Sequence, residues 1–188
     1  MIASVQVRHP GLRKAVMADF AIEAKMLDIS VPSSRVGKLV EIGRLCFITD
    51  AFGALVLYRL KAACQRQGIP VIPHLAHRAA IAWGQVSIGD AVLVHPGIRL
   101  PHGQVVIGGF AEIHSGVEIR PFVTIGLREG ILRGPTIHRD VRVGTGAKVI
   151  GRITVGRGAR IGANAVVIHD VPPGAVVVGV PAHVVPSQ

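Results

Sequence analysis

The stretch "GPTIHRDVRVGTGAKVIGRITVGRGARIGANAVV", residues 134–167, decides the fold. Within it Ile137, Val143, Val149, Val155, Ile161 and Val167 recur every sixth position. The same phase runs back through Ile125, Ile119, Ile113 and Ile107 and, after one slip, through Leu100, Val94 and Ile88. A second small or apolar column stands two residues earlier, at Val92, Ala111, Val117, Val123, Val141, Ala147, Ile153, Ala159 and Ala165. Glycine often follows the aliphatic position, as at Gly108, Gly144, Gly156 and Gly162. A six-residue unit with one inward aliphatic residue and a turn-permissive glycine describes short parallel strands wrapped around a triangular prism, three units per coil. Residues 87–171 hold nearly five such coils, a rod roughly 24 Å long at about 4.8 Å per coil.

Composition agrees with a repetitive β architecture. Only five Phe, one Tyr and one Trp stand against 23 Gly, so the core has to be built from small branched side chains. The net charge of +10 favours an anionic partner. The basic residues are dispersed and base-stacking aromatics are nearly absent from the C-terminal half, which argues against nucleic acid and for a phosphorylated small molecule. Cys46 and Cys64 have no C-x-x-C spacing and read as free thiols in a reducing compartment. The apolar run 45–57 is too short to span a bilayer and contains Asp50, and no signal-peptide pattern opens the chain, so the expected setting is cytoplasmic, away from membranes.

Upstream of the repeat the period is helical. Leu12, Val16, Phe20, Ala24 and Leu27 predict a helix over 11–28, and a second helical block runs from about Arg35 to Arg66 with a break near Asp50. Residues 74–85 read as a further short helix or an entry segment. The expected organisation is α+β: a helical region over 1–85, a β-helix over 86–171, and a cap or tail over 172–188. The repeat breaks twice. One residue too many falls between Leu100 and Ile107, at "PHGQ", and "GLREGILRGPT" (126–136) has the glycine, proline and charge content of a loop leaving the prism.

These motifs, with "VTIG" (123–126) and "DVPPGAVVVGVPA" (170–182), resemble the hexapeptide-repeat acetyltransferases, most closely the serine O-acetyltransferase branch. The resemblance covers about 87–185 and extends to the helical segment ending in "LYRLKAACQRQG". It implies a left-handed β-helix, acetyl-CoA as co-substrate, and a homotrimer, with trimers pairing through the helical regions in some members. It places the catalytic histidine at His102, preceded by Pro101 where the family usually has aspartate. The family's histidine-orienting aspartate falls on Ser87, and its acceptor-binding Arg-His-Pro appears as Arg133-Gly134-Pro135.

An alcohol attacks a thioester usefully only if a base takes its proton as the bond forms, and imidazole suits that task. The base would be His102, passing the proton to the departing sulfur while a backbone N–H stabilises the oxyanion. Ser87, Asp90, a backbone carbonyl or a neighbouring subunit would orient the ring in place of the missing aspartate. Arg133 and Pro101 are the expected acceptor-side residues; His95 and His114, which counting stacks on neighbouring coils, are further candidates for lining the site. By resemblance the CoA arm lies along Gly126, Thr145, Gly146, Ala147, Gly162 and Ala163. Lys148, Arg157 and Arg160 are candidates for its phosphates, and Gly179 to Ala182, including Pro181, for its adenine end. His74, His77, His138, His169 and His183 read as surface or terminal residues.

Two other classes share the solenoid. A trimeric zinc carbonic anhydrase needs a histidine pair five residues apart, which is missing here, so no metal is expected. A non-catalytic scaffold would lack the groove segments and His102. Among acceptors, serine or a serine-like hydroxyl is expected, with a sugar or secondary-metabolite hydroxyl as the alternative.

Overall fold

A computed structural model describes residues 9–186. Four helices come first: α1 (Leu12–Met26), α2 (Arg35–Ile48), α3 (Phe52–Arg66) and α4 (Ile72–Gly84). The sequence periods locate the first three, the expected break near Asp50 is the short turn between α2 and α3, and of the two readings of 74–85 the helix is the one observed. Ser34 caps α2, its hydroxyl accepting from the Gly37 N–H at 2.9 Å.

From residue 86 the chain winds through three sheets. The first contains β1 (Val86–Ile88), β3 (Val105–Ile107), β6 (Thr124–Gly126), β9 (Lys148–Ile150) and β12 (Val166–Val167), in that order. The second contains β2 (Leu93–Val94), β4 (Glu112–Ile113), β7 (Thr136–Ile137) and β10 (Thr154–Val155). In the third, β5 (Glu118–Ile119), β8 (Arg142–Val143) and β11 (Arg160–Ile161) lead to β13 (Val176–Gly179) and β14 (Ala182–Val185). Every pairing between coils is parallel; only the closing hairpin β13–β14 is antiparallel. The thirteen in-phase positions from Ile88 to Val167 are all 3% exposed or less, which is the inward column the period demanded. Ile131 leaves that column and is partly exposed: residues 127–135 carry no strand and leave the prism.

A stacked coil ends with a row of unpaired carbonyls, a liability at any open sheet edge. Helix α3 covers that row. The Tyr58 hydroxyl donates to the Val92 carbonyl at 2.8 Å, Arg59 donates to the carbonyls of Val94 and His95, and the Lys61 ammonium donates to the Ile88 carbonyl. Burial pushes the Tyr58 hydroxyl up to about 12, so it stays a donor. Arg59 is itself buried and paired with Asp19 of α1 at 2.8 Å. Asp19 also accepts from the N–H groups of Gly97 and Ile98, at 2.8 and 3.1 Å, which ties α1, α3 and the first coil into one knot. Burial pushes the Asp19 carboxyl above its ordinary range, with Arg59 opposing.

Replacing Asp19 with alanine strands the buried Arg59 charge and two backbone donors. The unfolding free energy from urea titration is expected to fall by about 3–5 kcal/mol.

Candidate functional site

His102 stands on the corner where the chain passes from the third sheet back to the first. The seven-residue step from Leu100 to Ile107 gives this corner its extra residue, and the turn is completed by Gln104 with φ of 60°. Gly103 is required there, because a Cβ on it would collide with the carbonyl oxygen of Gly84 at the end of α4. That close approach carries the helical region onto the corner. His102 Nδ1 lies 2.8 Å from Oδ2 of Asp50, in the turn between α2 and α3. In the single chain both side chains face solvent, 62% and 68% exposed.

The pair opens onto a cleft of about 410 Å³. Its walls include Phe47 and Trp83, in edge-to-face contact with centroids 5.4 Å apart, and Phe122 from the next coil. Below His102 the same corner repeats down the rod as Pro121-Phe122, Thr145-Gly146 and Ala163-Asn164. The coils are joined there by Gly146 N–H to the Pro121 carbonyl at 2.9 Å and Asn164 N–H to the Thr145 carbonyl at 2.8 Å. Gly146 has φ of 75° and no room for a Cβ against the Asn164 amide. Gly162 continues the edge, facing Val178 one coil further, and Gly179 follows in register with Ala163 at the end of β13. Lys148 reaches back along this edge, its ammonium donating to the Phe122 carbonyl at 2.7 Å. The candidate CoA positions Thr145, Gly146, Gly162, Ala163 and Gly179 therefore share one straight edge headed by His102. Gly126 and Arg160 flank it on β6 and β11, Pro181 lies in the closing hairpin, and Arg157 pairs with Asp140 at 3.2 Å.

Several expectations require correction. Asp50, not Ser87 or Asp90, holds His102. Asp90 is committed to Lys61 at 2.9 Å; burial opposes its ionisation, but the Lys61 hydrogen bond and charge outweigh that and hold its carboxyl below the usual range. Ser87 lies in β1, paired with Val106 rather than with the corner. His95 and His114 do stack, with ring centroids 4.5 Å apart, but on the corner after the second sheet rather than in the cleft of His102. Arg133 lines a separate cleft of about 730 Å³ on the second sheet, with Glu112, Thr136, Arg152, Thr154 and Asp170. Pro101 precedes His102 but does not line its cleft. Ala147 faces inward, with its N–H bonded to the Gly144 carbonyl and its carbonyl to the Thr124 N–H, so it shapes the edge without presenting a group to it.

Asp50 is the candidate orienting residue that repeat counting does not reach. The signal was present: one acid inside the apolar run 45–57, at a helix break. The chemistry available to the arrangement is that of a base. A carboxylate at Nδ1 fixes the ring with Nδ1–H toward Asp50 and leaves Nε2 free to accept a proton. Among the described residues no helix is long and apolar enough to cross a membrane.

Comparison with known proteins bears on the fold and the family. The family model for the bacterial transferase hexapeptide (six repeats) matches residues 134–169. The serine acetyltransferase of Synechococcus elongatus is 37% identical over 145 residues, covering 75% of this chain and 58% of that protein. The serine acetyltransferase of Escherichia coli is 33% identical over 183 residues, covering 93% of this chain and 67% of that protein. A serine acetyltransferase solved in complex with CoA superimposes with a TM-score of 0.76 at 26% identity, covering 94% of this chain and 70% of that one. This chain thus spans about six-tenths to two-thirds of the length of these curated relatives. With its parallel coils forming a left-handed β-helix, the chain belongs to the serine acetyltransferase family of hexapeptide-repeat transferases.

Proposed function

We propose that this protein is an acetyl-CoA-dependent O-acetyltransferase acting on the hydroxyl of serine or a serine-like small molecule. The observation that carries the reading is the 2.8 Å contact between His102 and Asp50 at the head of the glycine-bearing edge. His102 takes the acceptor's hydroxyl proton at Nε2 as the hydroxyl oxygen bonds to the thioester carbonyl carbon. The C–S bond then breaks, and the same nitrogen returns the proton to the departing thiolate. Asp50 is the positioning residue: it holds the tautomer and offsets the charge of the transient imidazolium. The edge fits the extended CoA arm, because Gly146, Gly162 and Ala163 bring backbone close to the surface with little side chain to cover it. Ala163 is exposed there, and amides of the arm can pair with such backbone as an added strand would. Lys148 and Arg160 flank that path as phosphate partners.

A homotrimer accounts for the division of the site. His102 is exposed in the single chain, and Arg133 lies in a different cleft, so an acceptor touching both sits between subunits. Trimers pairing through their helical regions, a cytoplasmic setting, and free Cys46 and Cys64 fit the same reading. A second reading, a sugar or secondary-metabolite hydroxyl, is favoured by the cleft itself. Phe47, Trp83 and Phe122 offer it apolar faces; outside the cleft, Pro101 and Gly134 stand where the resemblance implies polar groups in serine enzymes of the family.

The test is thiol release from acetyl-CoA across a panel of amino-acid, sugar and other hydroxyl acceptors. His102→Ala is expected to lower kcat by about 10²–10⁴-fold with the fold intact by circular dichroism. Undiminished turnover in this variant would remove the assignment. Asp50→Asn is expected to cost about ten- to a hundredfold in kcat while KM for acetyl-CoA stays within about twofold, with partial recovery in Asp50→Glu. A purely structural role would shift both constants. Arg133→Ala is expected to weaken acceptor use, and mixed trimers of His102→Ala and Arg133→Ala chains to regain activity that neither variant has alone. No regained activity means that each site is confined to one chain.

A further inference from the structure

The second corner of the rod carries a cluster the proposed reaction does not use. His95, His114 and His138 each follow the inward residue of a strand in the second sheet: Val94 in β2, Ile113 in β4 and Ile137 in β7. Parallel register places Val94 against Ile113 and Ile113 against Ile137, so the three imidazoles stack on consecutive coils. The first two rings lie 11° from parallel, and the third stacks below with centroids 5.1 Å apart. Glu112 precedes His114 by two residues and so shares its face of the strand. One of its oxygens, Oε1, lies 2.8 Å from His95 Nε2 and 3.4 Å from His114 Nε2. The two ring nitrogens and the carboxylate oxygen all fall within 4.8 Å of one another, and each side chain is only partly exposed.

We infer that His95, Glu112 and His114 form a binding site for a divalent transition metal of the zinc class, joining the first two coils at this corner. Two imidazole nitrogens and one carboxylate oxygen are a donor set that suits such ions and leaves a position for water. Tetrahedral bonds of roughly 2.1 Å place donors about 3.4 Å apart; the Glu112 oxygen lies 2.8 and 3.4 Å from the two ring nitrogens, and all three donors lie within 4.8 Å of one another. The backbone is already fixed for the purpose, with the His95 N–H bonded to the Ile113 carbonyl and the His114 N–H to the Ile137 carbonyl. Loading therefore turns the rings about their side-chain bonds, splaying them from parallel, and leaves the coil ladder in place. The expectation of no metal rested on spacing within a motif. Here the ligands are 19 residues apart in register, a distance set by one coil and its inserted residue. The site is on a different corner from His102, but Glu112 also lines the cleft of Arg133, so its occupancy is read by metal content and melting rather than by acetyl transfer.

The untagged full-length protein, stripped with a chelator, is loaded with Zn²⁺ or Co²⁺, dialysed against metal-free buffer, and assayed for metal content and thermal melting. About one ion retained per chain, a raised melting temperature, and the visible absorption of nitrogen- and oxygen-ligated cobalt are expected. His95→Ala and His114→Ala should abolish retention and His74→Ala preserve it; Glu112→Gln, which keeps the size of the side chain, should weaken binding about ten- to a hundredfold. No retained ion in the parent protein, or retention unchanged in the two alanine variants, overturns the inference.

Discussion

Coil-to-coil backbone pairing is the constraint on which the rest of this structure depends. Once Val106 pairs with Thr124 and Thr124 with Lys148, every residue has a fixed neighbour one coil above and one below. Side chains or glycines that share a corner are then stacked without any further interaction to align them. The edge below His102 and the imidazole stack on the second corner both arise this way, one from backbone brought to the surface and the other from a repeated side chain. Aliphatic filling of the prism makes the register unforgiving, because a slip of one residue would turn the whole inward column outward.

The repeat cannot supply everything. The corner at His102 carries no acid of its own, so the carboxylate there comes from Asp50, in a turn between helices. The helices in turn are fastened to the first coil through Asp19, Arg59 and the contact of Gly84 with Gly103. The geometry of the candidate base is therefore set by tertiary packing between two kinds of architecture. The aromatic walls of the cleft have the same divided origin, with Phe47 and Trp83 from helices and Phe122 from a coil.

This division explains what could be read from the chain. The prism was legible because it demands one aliphatic residue in six, a demand written locally and repeated thirteen times. His102 stood out because the extra residue beside it breaks that count, and the His95–His114 stack follows from counting coils. Asp50 was recognisable only as an acid in an apolar run, because its partner is 52 residues away and the approach depends on how α2, α3 and α4 dock. The role of Glu112 was hidden for a different reason: that it shares the face of His114 is implicit in the strand, but that both imidazoles turn toward it is a matter of rotamers. Arg133 kept its place in a familiar tripeptide, yet a single chain sets it apart from His102, and no linear pattern shows which surfaces of separate copies meet.

The donors of Tyr58, Arg59 and Lys61 seal the top of the rod, while β14 folds back over the bottom. A stack of identical coils has no intrinsic length: its growing end is a template on which another rod could dock and continue. By occupying the carbonyls of the first coil with side chains that no strand can imitate, α3 makes the solenoid a finite object. The helical region is thus a terminator as well as a source of the acid at the candidate active site, and a chain stripped of it would present the adhesive end from which fibres start.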